Sequence, residues 1–77
     1  MSPAELIARE VRKIVAAELA VVLGRRLPLY ERVISFAEKP LIDQVLQLHH
    51  RNQSRAALAL GINRNTLRKK ILDYGIT

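Results

Sequence analysis

The chain has no cysteine, no tryptophan and only three aromatic residues, Tyr30, Phe36 and Tyr74. Without cysteine there is no disulfide, no thiolate metal site and no thiol nucleophile, which fits a cytosolic setting. So few aromatics argue against a reader of single-stranded RNA, which needs flat side chains for bases to stack on. Long hydrophobic runs are also missing. The longest, Ala16 to Leu23, is interrupted by Glu18 and is far too short to span a bilayer. No basic stretch followed by an apolar run opens the chain, so a signal peptide is not expected. No carboxylate pair, serine–histidine–aspartate set or phosphate-cradling glycine loop is present. The expectation is a soluble, cytoplasmic protein that is not an enzyme, with no catalytic residue, cofactor or small-molecule substrate. His49 and His50 are the one temptation toward a metal. Neighbouring residues on a helix point about 100° apart, so the pair cannot chelate one ion together.

What the chain does have is apolar surface and unevenly placed charge. Its 77 residues make one small domain, yet 49% of them are hydrophobic. A domain of this size buries only a modest core by itself. Either the chain packs unusually well, or it buries apolar surface against a second copy. The net charge is +6. Residues 1–50 nearly balance, with Arg9, Arg12, Lys13, Arg25, Arg26, Arg32 and Lys39 against Glu5, Glu10, Glu18, Glu31, Glu38 and Asp43. Residues 51–77 carry Arg51, Arg55, Arg64, Arg68, Lys69 and Lys70 against Asp73 alone. Such a one-sided segment is either a solvated basic face or the footprint of a polyanion binder.

Helical signals run the length of the chain, and no strand pattern, repeat or linker interrupts them. Ser2-Pro3-Ala4-Glu5 reads as a capped helix start with a capping box. Ile7, Val11, Ile14, Val15, Leu19, Val22 and Leu23 follow at helical spacing up to Gly24, where Arg25 and Arg26 suit the helix dipole. A second helix opens at Leu27-Pro28, with an apolar stripe through Tyr30, Val33, Ile34, Ala37, Leu41, Val45 and Leu48. The stripe keeps its phase through Pro40, although proline removes the hydrogen bond to the carbonyl of Phe36. One long kinked helix ending near His50 is therefore expected. Arg51-Asn52 reads as a turn. A short helix from Gln53 to Leu60 stops at Gly61, which can supply a positive φ. Asn63 caps a last helix from Arg64 to about Asp73, and Tyr74-Gly75 ends it.

The last two helices meet the requirements of a helix-turn-helix, two short helices joined by a tight glycine-containing turn. Ala56 and Ala57 are small enough for a close crossing. Leu58, Leu60, Ile62, Leu67 and Ile71 can pin the pair to a core. Arg64, Asn65, Arg68 and Lys69 then face outward, with Thr66 and Lys70 at the margins. Arginine can grip guanine in two places and asparagine can grip adenine, while lysine, threonine and serine hold phosphates. Asn63 and Arg64 stand at the helix start, where such helices meet base edges. On local grounds a plain cap is the stronger reading of Asn63. Arg68 and Lys69 suit phosphates better than bases.

The runs Asn52-Gln53-Ser54-Arg55-Ala56-Ala57 and Leu60-Gly61-Ile62-Asn63-Arg64-Asn65-Thr66-Leu67-Arg68-Lys69-Lys70-Ile71 strongly resemble the Fis (factor for inversion stimulation) family. They look equally like the C-terminal DNA-binding domain of NtrC-type transcriptional activators. Leu29-Tyr30 and Glu38-Lys39-Pro40-Leu41 also match, and the likeness covers most of residues 27–76. The resemblance implies an all-α fold of four helices per chain. The two N-terminal helices form an intertwined dimeric four-helix core, and a helix-turn-helix projects from each subunit. It divides the single domain 1–77 into dimerisation helices, 1–50, and a helix-turn-helix, 51–77. It implies a nucleoid-associated regulator that bends double-stranded DNA with little sequence preference. Asn63 and Arg64 reach bases, while Asn52, Ser54, Thr66, Arg68 and Lys69 hold the backbone. Fis proteins carry an N-terminal arm that activates a recombinase, and a helix starting at Ser2 leaves no room for one. That favours a DNA-binding and dimerisation domain of an NtrC-type activator, or an armless relative.

The rival from another class is a helical dimerisation module that binds protein only. The one-sided charge of residues 51–77, which pairing does not need, separates it from a DNA binder. Membrane binding by the first helix is disfavoured, because its polar face mixes glutamate with arginine.

Overall fold

A computed structural model describes residues 1–24 and 29–76, with the side chains of the first helix described as far as Ala17. The described residues form four helices and no strand, and the fold is all-α. Helix α1 spans Pro3–Gly24 and α2 spans Leu29–Leu48. Helix α3 spans Gln53–Leu60 and α4 spans Arg64–Tyr74. Two compact units are present, Met1–Ile34 and Ser35–Thr77. The expected start of the second helix at Leu27-Pro28, and the roles of Arg25 and Arg26, lie outside the described residues.

The N-terminal unit begins as its sequence suggests, with one difference. The Ser2 hydroxyl accepts the backbone N–H of Glu5 at 3.2 Å. In a full capping box the glutamate would reach back to the backbone N–H of the cap. Here its carboxylate instead accepts the Ser2 hydroxyl proton, at 3.1 Å. Farther along, Lys13 and Glu10 pair one turn apart at 3.3 Å on the exposed face, a contact that contributes little in water. Where burial is described, no residue of this unit is fully buried, and Leu6, Ile7, Val15, Tyr30 and Ile34 are exposed.

The core belongs to the C-terminal unit. Ile42 and Leu46 of α2, Ala56 and Ala57 of α3, and Leu67 and Ile71 of α4 are buried together with Ile76. Val45, Leu60, Ile62 and Tyr74 pack around them. The α3–α4 pair is thus roofed by the second half of α2. The side chains that do this sit on a different face from the apolar stripe. Ile42 and Leu46 lie roughly 100° around the helix from Ile34, Leu41 and Leu48. The stripe itself stays largely in solvent, with Tyr30 78% and Leu48 73% exposed. Helix α2 continues through Pro40, as its unbroken phase predicts.

One expectation fails. Leu58 does not pin α3 to the core; it is 83% exposed. Ala56 and Ala57 hold the buried face, and the residue after them turns away, since successive residues differ by about 100°. The second helix ends at Leu48, within two residues of the expected end near His50. The N–H of His50 reaches the carbonyl of Gln47 at 3.2 Å, and that of Arg51 reaches Leu46 at 2.8 Å. This is a Schellman stop, which requires a left-handed residue after the helix. His50 takes that role at φ 52, and Arg51 follows at φ 63.

The ends of α3 and α4 are built the same way with the expected residues. Gly61 (φ 74) donates to Leu58 while Ile62 donates to Ala57. Gly75 (φ 64) donates to Leu72 while Ile76 donates to Ile71. No atom would crowd a side chain added at Gly61. Glycine is needed there for backbone conformation alone.

Candidate nucleic-acid interface

The turn between α3 and α4 is Gly61-Ile62-Asn63, the tight link a helix-turn-helix requires. Both helices begin on an asparagine cap. Asn63 Oδ1 accepts the N–H of Asn65 at 2.7 Å. Asn52 Oδ1 accepts the N–H of Arg55 at 3.1 Å. The second cap was missed in the sequence because Asn52 follows a turn with no glycine to mark it. No acid stands in the first turn of either helix. Their partial positive charge is therefore left free to favour an anion.

These helix starts shape the site. An open concavity of about 470 Å³ is lined by Arg51, Asn52, Gln53, Ser54, Arg64 and Arg68. Arg64 and Arg68 are one turn apart and so share a face of α4. Leu67 and Ile71, on the adjoining face, bury themselves and fix that orientation. The concavity unites four of the seven expected contact residues, namely Asn52, Ser54, Arg64 and Arg68. It adds Arg51 and Gln53, which the sequence reading did not assign. The left-handed φ of Arg51 was not legible, and only the run of basic residues hinted at it. Asn63, Thr66 and Lys69 are exposed but do not line it. Thr66 lies on the far side of α4 from Arg64, since residues two apart point about 160° apart.

Charge in the unit divides into two populations. Arg51, Arg55, Arg64, Arg68 and Lys69 are exposed, and among the described residues none of them pairs with an acid. Lys70 is different. Its Nζ donates to Glu38 Oε1 of α2 at 2.8 Å, and the Tyr74 hydroxyl donates to the same oxygen at 2.6 Å. The Lys70 hydrogen bond, then that of Tyr74, hold the Glu38 carboxyl below its ordinary value. The Tyr74 hydroxyl is pushed up to about 12, first by its bond to Glu38, then by burial and the charges of Glu38 and Asp73. Among the described residues no helix is long and apolar enough to cross a membrane.

Residues 34–74 match the family described as bacterial regulatory protein, Fis family. The match coincides closely with the C-terminal unit, so the shared pattern and the packed core are the same stretch of chain. The DNA-binding protein Fis of Actinobacillus succinogenes is 55% identical over 49 residues, which is 64% of this chain and 50% of that protein. Proteins of the same name from Escherichia coli O1:K1 / APEC and Yersinia enterocolitica are 56% identical over 48 residues, 62% of this chain and 49% of each. The chain spans about half the length of the curated relatives it matches. With its family pattern covering more than half of its residues, the chain belongs to the Fis family of bacterial regulatory proteins.

Proposed function

We propose that this protein binds double-stranded DNA as a homodimer, setting α4 of each subunit in a major groove. The observation that carries the reading is the concavity in which Arg51, Arg64 and Arg68 converge with the uncompensated start of α3. Guanidinium groups and free backbone N–H groups are the donors that phosphate oxygens accept from. The family relatives, named DNA-binding proteins, support the same conclusion. Asn52 and Ser54, with Arg68, grip the backbone, as do Thr66 and Lys69 from outside the concavity. Asn63 and Arg64 reach the bases. Asn63 Oδ1 keeps a second lone pair beside its cap bond, so the same side chain can cap α4 and still offer an acceptor and donors to a base edge.

Two copies pair through α1 and α2, covering the exposed apolar residues Leu6, Ile7, Ile34 and Leu41. In this arrangement residues 1–50 serve pairing and residues 51–77 serve reading, while α2 contributes to both. The spacing of the two reading helices then selects DNA by its readiness to bend, a form of shape readout. The role is regulatory or architectural, in the cytoplasm at the nucleoid, and not catalytic. A gel shift on duplex DNA at several salt concentrations tests this. Arg64→Ala should weaken a good site by about 1–3 kcal/mol. No binding by the wild-type protein at low salt overturns the reading.

A further inference from the structure

Six basic residues follow position 50, and five of them are free to meet a polyanion. The sixth, Lys70, sits in the middle of the DNA-facing helix and yet points to another part of the protein. Its Nζ is 2.8 Å from Glu38 and its side chain is only one-third exposed. The same Glu38 oxygen accepts the Tyr74 hydroxyl, which lies one turn beyond Lys70 on α4. One carboxylate on α2 thus holds two successive turns of α4. Charge-assisted bonds of this kind are short and directional, and two on one oxygen resist rotation of the helix about its axis.

We propose that Glu38, Lys70 and Tyr74 form a positioning bridge that fixes the rotation of α4 against α2, with Lys70 serving the protein rather than the DNA. The inference rests on the DNA-binding reading above. Its physical content is that Lys70 brings its charge to the interface already neutralised. It releases no counterion when DNA binds. Its loss acts by letting Arg64 and Arg68 drift from the register that paired half-sites demand.

Two quantities separate a positioning cation from a phosphate contact. The first is the dependence of the binding constant on salt, which counts neutralised phosphates. Lys69→Ala should lower the slope by about 1, whereas Lys70→Met should leave it unchanged while weakening a two-half-site duplex about three- to tenfold. The second is the sign of the Glu38→Gln effect. A bridge predicts weaker binding, in step with Lys70→Met. A lysine that contacts phosphate predicts tighter binding, because removing the carboxylate frees it. The exchanged variant, Glu38→Lys with Lys70→Glu, restores the attraction with reversed polarity and should recover most of the lost affinity. A glutamate at a phosphate contact would instead abolish binding.

Thermal unfolding followed by circular dichroism identifies variants that are folded at the assay temperature, and Tyr74→Phe provides a milder break of the same bridge. A slope lowered by about 1 in Lys70→Met, or tighter binding by Glu38→Gln, overturns the bridge and leaves the DNA reading standing. Failure of the wild-type protein to bind duplex DNA overturns both.

Discussion

Asn63 Oδ1 accepts the backbone N–H of Asn65 at 2.7 Å, so the side chain proposed to reach a base also holds the start of α4. The oxygen makes the cap. The amide nitrogen takes no part in it, and the residue is exposed.

Two substitutions should separate these duties. Asn63→Asp keeps a capping oxygen and adds a charge that suits the helix start, so thermal stability should hold or rise slightly. The same variant loses both donors and places a negative charge against DNA, so affinity should fall at least tenfold, about 1.4 kcal/mol or more. Asn63→Ala should lose both, with stability down by about 1 kcal/mol. Unfolding curves and gel shifts on the same three proteins check this. Equal stability loss in the two variants would remove the capping role.

His50 carries a left-handed backbone where the ends of α3 and α4 use glycine. A side chain in that conformation costs about 1–2 kcal/mol. Glycine returns part of this through its greater freedom in the unfolded chain. His50→Gly should therefore stabilise the protein by about 0.5–1 kcal/mol in denaturant unfolding. No gain would mean that the imidazole makes an offsetting contact.

The Glu38 bridge gives stability a defined pH window. The Glu38 carboxyl is held below its ordinary value of 4.5. Its contribution is complete above that pH and is lost as the pH falls through the lowered value of the folded protein. The Tyr74 hydroxyl moves the other way, from 10.0 up to about 12. Its contribution is complete below pH 10 and is lost as the pH rises toward 12. Melting temperature measured across that range should show a plateau with a fall on each side. Glu38→Gln should lower the plateau and flatten both falls.

Leu41 lies on the exposed stripe of α2, away from the buried Ile42 next to it. Leu41→Glu should leave helicity near that of the parent at low temperature and shift the sedimenting species from dimer to monomer. Ile42→Ala should instead leave a cavity in the core and cost about 2–5 kcal/mol. A dimer undisturbed by Leu41→Glu would remove this stripe from the pairing surface.

Features fixed within a few residues were legible in the sequence. Ser2, Asn63, Gly61 and Gly75 declared the helix ends because caps and left-handed stops act locally. The left-handed pair His50-Arg51 was hidden, since neither residue type signals that conformation. Leu58 was assigned to the core because composition records that leucine is apolar, not which way it points. Ile42 and Leu46 were passed over because a periodicity search finds the dominant stripe, and α2 has two apolar faces. At the candidate interface, the outward side of α4 followed from spacing alone. The bridge from Lys70 to Glu38 did not, because 32 residues separate its ends. Such pairs become visible only when the chain has folded.

The two faces of α2 bear on how the helix-turn-helix could be moved to another protein. A graft cut at Arg51 would leave Ala56, Leu67 and Ile71 without the cover of Ile42 and Leu46, and Lys70 and Tyr74 without Glu38. The smallest transplantable piece therefore starts before Glu38. It carries part of the outward stripe with it, so any new host must either accept that stripe or have it redesigned. The face that covers the α3–α4 core and the exposed apolar stripe are thus neighbouring sides of the same twenty residues, and neither can be exchanged wholesale while the other is kept.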